Sequence, residues 1–460
     1  MRIGLIAMSG VRVKSAELSK LGVTLPGFIR RGKVIATLPS LGLLTVAGLT
    51  PRHHQLSYIE IESLAALGSD RDFDLVGISA LTAQIEEAYR VADYFRGRGV
   101  RVVIGGLHAS LLPNEALEHA DSVVVNGAEG AWPQALQDAE RGRLRPVYCG
   151  MDDRVFAPAH YAFPRFELLR GRKYNRVTIQ TSRGCPRGCE FCGASLRITR
   201  RFNQKPVTLV VEEIRSARRH MVTPFIEFAD DNTFLDRAWG KELLRELARE
   251  GISYFTETDA SVADDLELCD RLADSGCKQL LVGFESPWSE DLGGIDPSGW
   301  KMKQASRSQQ VIDVLQSRGV SVNGCFVLGL DNQTPDIFPA ILDFVRRSGL
   351  AEIQFTVLTP FPGTPLYNRL KAEGRLLSER FWDACTLFDV NYRPKQMSVD
   401  DLENGLLWLF KETYSPEESN HRSRQFAQQR RASRLRTLDP LRSRVAGGLK
   451  ENPAGERAAE

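Results

Sequence analysis

Three cysteines, Cys185, Cys189 and Cys192, fall in the run Thr181-Ser182-Arg183-Gly184-Cys185-Pro186-Arg187-Gly188-Cys189-Glu190-Phe191-Cys192. The spacing C-x-x-x-C-x-x-C gathers three thiolates that can hold three corners of one metal cluster. A mononuclear zinc site wants four ligands, and no fourth Cys or His follows at finger spacing. A cubane iron–sulfur cluster on three thiolates keeps one iron open, and an open iron can bind and reduce a substrate. Gly184 and Gly188 let the backbone curl around such a cluster, while Pro186 stiffens the turn. The competing reading is three unrelated buried thiols. Their density on a Gly- and Pro-punctuated loop, just after the strand-like Arg176-Val177-Thr178-Ile179-Gln180, argues against it.

These residues need a scaffold, and the chain is long enough to supply one. Its 460 residues, 42% hydrophobic and 26% charged, suffice for two or three domains with proper cores. The net charge of +2 selects no particular partner. No apolar run reaches bilayer length, and the start reads as a strand rather than a signal peptide. Eight cysteines, three of them clustered, fit a reducing compartment, so the expectation is a cytoplasmic protein.

Over residues 1–150, strand-like runs (Arg2 to Met8, Gln55 to Ile61, Asp74 to Ser79, Arg101 to Gly105, Asp121 to Asn126) alternate with amphipathic stretches such as Gln84 to Arg98. That alternation predicts α/β structure with a doubly wound, flavodoxin-like parallel sheet, whose ligands sit beyond the carboxyl ends of the strands. Small residues stand at those ends, and no G-x-G-x-x-G follows the first strand, so a dinucleotide is not the favoured ligand. Residues 151–175 read as a linker. From 176 to 388 six strand–helix units predict a partial (β/α)6 barrel, again with its site at the strand ends. Asp230-Asp231-Asn232 follows the second of these strands, where paired carboxylates suit an ammonium group, although one of them could serve as a helix cap. Residues 389–460 read as a small, mostly helical accessory region with a basic, partly disordered tail from Gly447. Its Arg422 to Arg436 run is expected to be a solvated helix, with peripheral contact to an anionic membrane as the alternative and no nucleic acid expected.

The cysteine spacing, with Phe191 before the third cysteine, resembles the radical S-adenosylmethionine superfamily. The resemblance implies a [4Fe–4S] cluster on Cys185, Cys189 and Cys192, whose fourth iron chelates S-adenosylmethionine. One electron from a low-potential donor of flavodoxin or ferredoxin type would then yield a 5′-deoxyadenosyl radical. By the same resemblance, Asp230 and Asp231 receive the methionine amino group, and Gly283-Phe284-Glu285-Ser286 places Glu285 and Ser286 beside the methionine or ribose. Thr359-Pro360-Phe361-Pro362-Gly363-Thr364-Pro365 is implied to form a rigid loop at the adenine edge. The first 150 residues resemble the cobalamin-binding domain that precedes many of these enzymes, through Leu38-Pro39-Ser40-Leu41-Gly42-Leu43-Leu44, Gly77-Ile78-Ser79, Gly105-Gly106-Leu107-His108-Ala109 and Gly127-Ala128-Glu129-Gly130. This implies that Ser79, Thr82, Gly105 and Gly106 line the groove for the cobalamin tail and that Gly127 and Glu129 close its far side. One departure is the absence of Asp-x-His-x-x-Gly. Cobalamin without a histidine below cobalt is therefore expected, with His108 in a packing or tail-contact role.

Together these resemblances imply a cobalamin-dependent radical S-adenosylmethionine methyltransferase. It would act on an unactivated carbon of a small-molecule, lipid or tetrapyrrole-type substrate through the adenosyl radical and methylcobalamin. The alternative is the same architecture catalysing cyclisation, oxidation or rearrangement. A non-catalytic cobalamin or iron–sulfur binding module would not need the strand-end motifs. A tRNA methylthiotransferase would carry three further cysteines in an N-terminal domain, and the first 148 residues here contain none.

Overall fold

The computed structural model describes residues 1–11, 13–21, 38–68, 72–150, 156, 161–171, 174, 176–193, 202–222 and 224–447, with side chains to residue 433. Part of the expected linker at 151–175 and the tail after Gly447 lie outside the described residues.

The first sheet is built from β1 (Arg2–Met8), β2 (Gln55–Ile61), β3 (Leu75–Ser79), β4 (Arg101–Gly105), β5 (Ser122–Val125) and β6 (Val147–Cys149), all parallel in the order β2-β1-β3-β4-β5-β6. Strand order reverses between β1 and β3, which opens a crevice at their carboxyl ends. β1 is buried at every position after Arg2, as a strand covered on both faces must be. The helix Ile85–Arg96 turns Ile85, Ala88, Tyr89, Ala92 and Phe95 inward at three- and four-residue intervals, so one apolar stripe covers the sheet.

The chain then enters β7 (Arg176–Ile179), a short antiparallel pair β8 (Ser182–Arg183) and β9 (Asn203–Gln204), and the strands β10 (Phe225–Phe228), β11 (Tyr254–Thr258), β12 (Cys277–Glu285), β13 (Ser321–Leu328) and β14 (Glu352–Val357). Parallel pairing in the order β14-β13-β12-β11-β10-β7 leaves the two end strands apart, giving the partial barrel. Its helices follow local rules. Asp236 caps Arg237–Glu250 by accepting from the Trp239 amide, and Gly251 ends that helix with φ 61°. The pair β8–β9 is a feature the sequence reading did not foresee, as is β6, a three-residue edge strand that follows the charged stretch Arg141 to Arg145.

The chain after β14 divides its packing between the two sheets. Phe381, Trp382 and Cys385 are buried in the core beneath the first sheet. Tyr392, Leu402, Leu406 and Leu409 join the barrel core. The indole of Trp382 donates to Glu115 at 3.2 Å, and Asp389 accepts the Lys14 and Ser15 amides. This region therefore ties the two sheets together. Among the described residues no helix is long and apolar enough to cross a membrane.

Candidate functional site

The loop carrying the cysteines is held at its start and in its middle. At its start, Asp230 is buried and accepts from the amides of Thr181 (2.7 Å) and Ser182 (2.9 Å), from the Thr181 hydroxyl and from the Thr233 hydroxyl (2.8 Å). Farther on, Arg369 grips Glu190, between the second and third cysteines, through two contacts of 2.6 and 3.1 Å, while also meeting Asp331 at 2.7 Å. The Glu190 carbonyl accepts the Leu366 amide, and its own amide donates to the Ile295 carbonyl. Arg187 pairs with Asp259 at 2.8 Å and lies 3.8 Å over the Trp300 ring.

The three thiols converge. Burial pushes the Cys189 thiol up to about 12, with the charges of Glu285, Cys192 and Cys185 acting in the same direction and Lys301 opposing them. Burial also raises Cys185, helped by Asp231 and Asp259. Three thiols within each other's field, in a pocket that resists anionic sulfur, fit a bound cationic cluster that neutralises them.

Across from the cysteines, β12 ends in a bulge between Gly283 and Glu285, and Glu285 adopts φ 62°, a conformation that costs energy for a residue with a side chain. Its carboxylate is in contact with the Lys301 ammonium, which also donates to the Gly283 carbonyl at 3.0 Å. A Cβ on Gly283 would stand 2.6 Å from that carboxylate and 3.0 Å from the ammonium, so a side chain here would push the ion pair aside. Ser286 is fully buried and donates to Asp291.

Inside the barrel, several acidic side chains meet a cation: Glu227 with Arg176 at 3.0 Å, Asp259 with Arg187, Glu285 with Lys301. Glu257 has a different environment. Burial, then the charges of Asp231, Glu227 and Asp230, raise it to about 8. In the unfolded chain it ionises near 4.5, whereas the fold keeps it protonated to about 8. Its contribution to stability is thus full below pH 4.5, falls as pH rises through that window, and is lost above it. Glu257→Gln should leave the urea midpoint of the apoprotein unchanged at pH 4.5. At pH 9 it should raise stability by up to about 5 kcal/mol, at 1.36 kcal/mol per unit. Equal midpoints for the two proteins at pH 9 would show that Glu257 ionises freely.

A cavity of about 390 Å³ joins the two halves. Its floor is the carboxyl ends of β3 to β5: Gly77, Ser79, Gly105, Gly106 and, after β5, Gly127. One wall is the helix Leu41–Leu49, and another begins with Glu129 and Trp132. The far side belongs to the barrel, through Gln180, Arg183, Ala229 and Asp231. Arg183 donates to Glu129 at 3.1 Å and to Gln180 at 2.8 Å, so an ion pair spans the gap two residues before Cys185. A glycine-lined floor lets a large planar ligand approach the backbone, and the cavity thus fits a corrin.

The structure brings Ser79, Gly105, Gly106, Gly127, Glu129 and Asp231 together around this cavity. Thr82 is buried outside it, its hydroxyl without a hydrogen-bond partner among the described residues. His108 is also outside: it is fully buried, 3.1 Å from Glu115 and edge-on to Trp382. Asp230 and Asp231 diverge, the first serving the cysteine loop and the second facing the cavity while accepting from the Gly184 amide at 3.3 Å. The Pro-rich loop packs on the cysteine loop, since a Cβ on Gly193 would meet Phe361 and Thr364 at 3.4 Å. Sequence reasoning missed Lys301, Arg369, Arg187 and Arg183. The two arginines inside the cysteine run were visible as unusual charges among metal ligands, whereas Lys301 and Arg369 carried no local signal.

Comparison with known proteins agrees with this geometry. The family model for the radical SAM superfamily matches residues 179–345, that for the B12 binding domain matches residues 29–136, and a domain of unknown function (DUF4070) matches residues 364–445. Bacteriochlorophyllide d C-12(1)-methyltransferase of Chlorobaculum tepidum is 26% identical over 381 residues, 81% of this chain and 82% of that protein. Hopanoid C-2 methylase of Rhodopseudomonas palustris is 25% identical over 361 residues, 75% of this chain and 67% of that protein. Among solved structures, the radical S-adenosylmethionine methyltransferase TsrM from Kitasatospora setae, with cobalamin and a [4Fe–4S] cluster bound, superposes with a TM-score of 0.61 at 15% identity, over 91% of this chain and 90% of that one.

Proposed function

This chain belongs to the cobalamin-dependent radical S-adenosylmethionine enzymes, and we propose that it methylates an unactivated carbon of a small, largely apolar substrate of lipid or tetrapyrrole type. The observation that carries this reading is the single cavity reaching from the glycine floor of the first sheet to Arg183 and Asp231 beside the cysteine loop. A methyl carrier and a hydrogen-atom abstractor must face one substrate, and a shared cavity supplies that arrangement. The relatives named for methylating a bacteriochlorophyllide and a hopanoid support the reaction and the substrate class.

When bound, the cluster with S-adenosylmethionine supplies the 5′-deoxyadenosyl radical and cobalamin supplies the methyl group, chemistry that belongs to the cofactors. The chain's share is placement. Cys185, Cys189 and Cys192 hold the cluster, and Asp230 and Arg369 fix the loop that presents them. Asp231 and Glu285, the latter balanced by Lys301, and Ser286 behind it form the polar end of the S-adenosylmethionine site. Ser79, Gly105, Gly106 and Gly127 admit cobalamin, with Glu129 bound to Arg183 closing the far side and Thr82 lying outside the groove. The buried surround keeps water from reactive species. In this reading residues 1–150 form the cobalamin domain, 176–388 the radical core and 389–460 the accessory region. The electron comes from a flavodoxin- or ferredoxin-type donor in the cytoplasm.

Anaerobic reconstitution with iron, sulfide and cobalamin, then S-adenosylmethionine and a low-potential reductant, tests the reading by mass spectrometry of products. Retained cobalamin with both 5′-deoxyadenosine and S-adenosylhomocysteine is the expected result. 5′-Deoxyadenosine alone in the presence of a turned-over substrate would transfer the assignment to a non-methylating radical reaction.

A further inference from the structure

At the end of the first sheet where its strands begin, away from the cavity, His53 and His54 precede β2 and face Glu140 at the end of the helix Ala131–Glu140. We propose that these three side chains form a site for a borderline divalent transition metal, with zinc as its expected occupant. Their ligand atoms lie within 4.8 Å of one another. Glu140 Oε1 stands 3.4 Å from His53 Nε2 and 3.5 Å from His54 Nε2. Other histidine–carboxylate contacts in this protein are tighter, at 2.9 Å for His119–Asp93 and 3.1 Å for His108–Glu115. A tetrahedral ion with ligands at about 2.0–2.1 Å separates its ligand atoms by about 3.3–3.4 Å, which is the spacing of these two contacts. Two rings that converge on one oxygen at that spacing have the size of a metal's coordination shell.

The chemistry of the donors agrees. Two imidazoles and one carboxylate suit zinc and its neighbours rather than calcium or magnesium. The His54 side chain is only 2% exposed, so packing fixes its position. Its Nδ1 lies 3.2 Å from the Met1 nitrogen, which as a neutral amine accepts the Nδ1 proton and leaves Nε2 free for the metal. The ring centroids of His53 and His54 are 4.1 Å apart. His53 and Glu140 are open to solvent, which leaves room for a water in the fourth position and a path for the ion.

The site joins two walls of the cavity. The loop bearing His53 and His54 leaves the helix Leu41–Leu49, and Glu140 ends the helix that carries Trp132; both helices line the cavity. A metal would clamp them at their far ends and stabilise the domain without touching the reacting atoms.

The test uses holoenzyme reconstituted with cluster and cobalamin, so that the cluster thiols are occupied, desalted and titrated with zinc ions. Metal per chain is counted by mass spectrometry while the cluster's visible absorbance is monitored. The expected result is one zinc per chain and a raised melting midpoint in the wild type. His53→Ala and Glu140→Gln change exposed groups that the fold does not need, and each should weaken zinc binding tenfold or more and remove the thermal shift. Absence of stoichiometric zinc on the wild type, or less than tenfold weakening in either variant, overturns the proposal.

Discussion

Replacing Cys185, Cys189 and Cys192 together with alanine should reduce iron per reconstituted chain to background and abolish reductive cleavage of S-adenosylmethionine, while far-ultraviolet circular dichroism stays that of the parent. The three thiols sit on a loop outside both sheets, fixed by Asp230 at one end and by Arg369 through Glu190 in the middle. Removing sulfur therefore removes ligands without removing the supports. Cys269 is the matched control. It is fully buried against the barrel, with its thiol 3.3 Å from the Val262 carbonyl, and Cys269→Ala should keep iron and cleavage at parental levels while losing some stability to the small cavity left behind. Cleavage that persisted in the triple variant would remove the cluster from these cysteines. Loss of iron in Cys269→Ala as well would mean that uptake reports folding, not ligation.

What could be read from the sequence divides along physical lines. Strands buried on both faces and helices with one apolar stripe announce themselves through periodicity, and β1, β2 and β4 have the bounds that their residues suggested. The cysteine loop was visible because metal ligation constrains spacing within a few residues. The floor of the cavity was visible for a similar reason, as small residues at successive strand ends form a local pattern repeated along the chain.

Long-range pairing was not visible. Arg369 meets Glu190 across 179 positions of chain, and Trp382 meets Glu115 across 267. Nothing near either residue marks its partner, because the first contact is set by how the barrel packs around the cysteine loop and the second by how the two sheets dock. The neighbours Asp230 and Asp231 show the same limit at close range. Adjacent side chains leave the backbone in different directions, so one carboxylate is consumed by three donors from the start of the cysteine loop and by the Thr233 hydroxyl, while the other reaches the cavity. Sequence placed the pair at the site; only the fold divides its labour.

Gly105→Leu should separate the two halves of the chemistry. Gly105 ends β4 on the cavity floor, and its backbone lies outside the left-handed region. An added Cβ would make ordinary contacts with Val124, 3.6 Å from its carbonyl oxygen and 3.7 Å from its Cβ. The leucine is thus accommodated by the strand while its volume enters the space proposed for the corrin. Gly106 is a poorer choice, since at φ 107° and 3.2 Å from both the Ala80 carbonyl and the Ser79 hydroxyl a side chain there would strain the turn itself. Gly105→Leu should weaken retention of cobalamin at least a hundredfold, read from the visible spectrum of the desalted protein, a loss of about 2.7 kcal/mol in binding. Iron content and reductive cleavage of S-adenosylmethionine should stay near parental values, because the cysteine loop hangs from the other sheet. S-adenosylhomocysteine should disappear from the products. Retention of cobalamin by the variant would place the cofactor elsewhere. Continued formation of S-adenosylhomocysteine without cobalamin would mean that the methyl group reaches its acceptor by another route, and the shared cavity would then belong to the substrate alone.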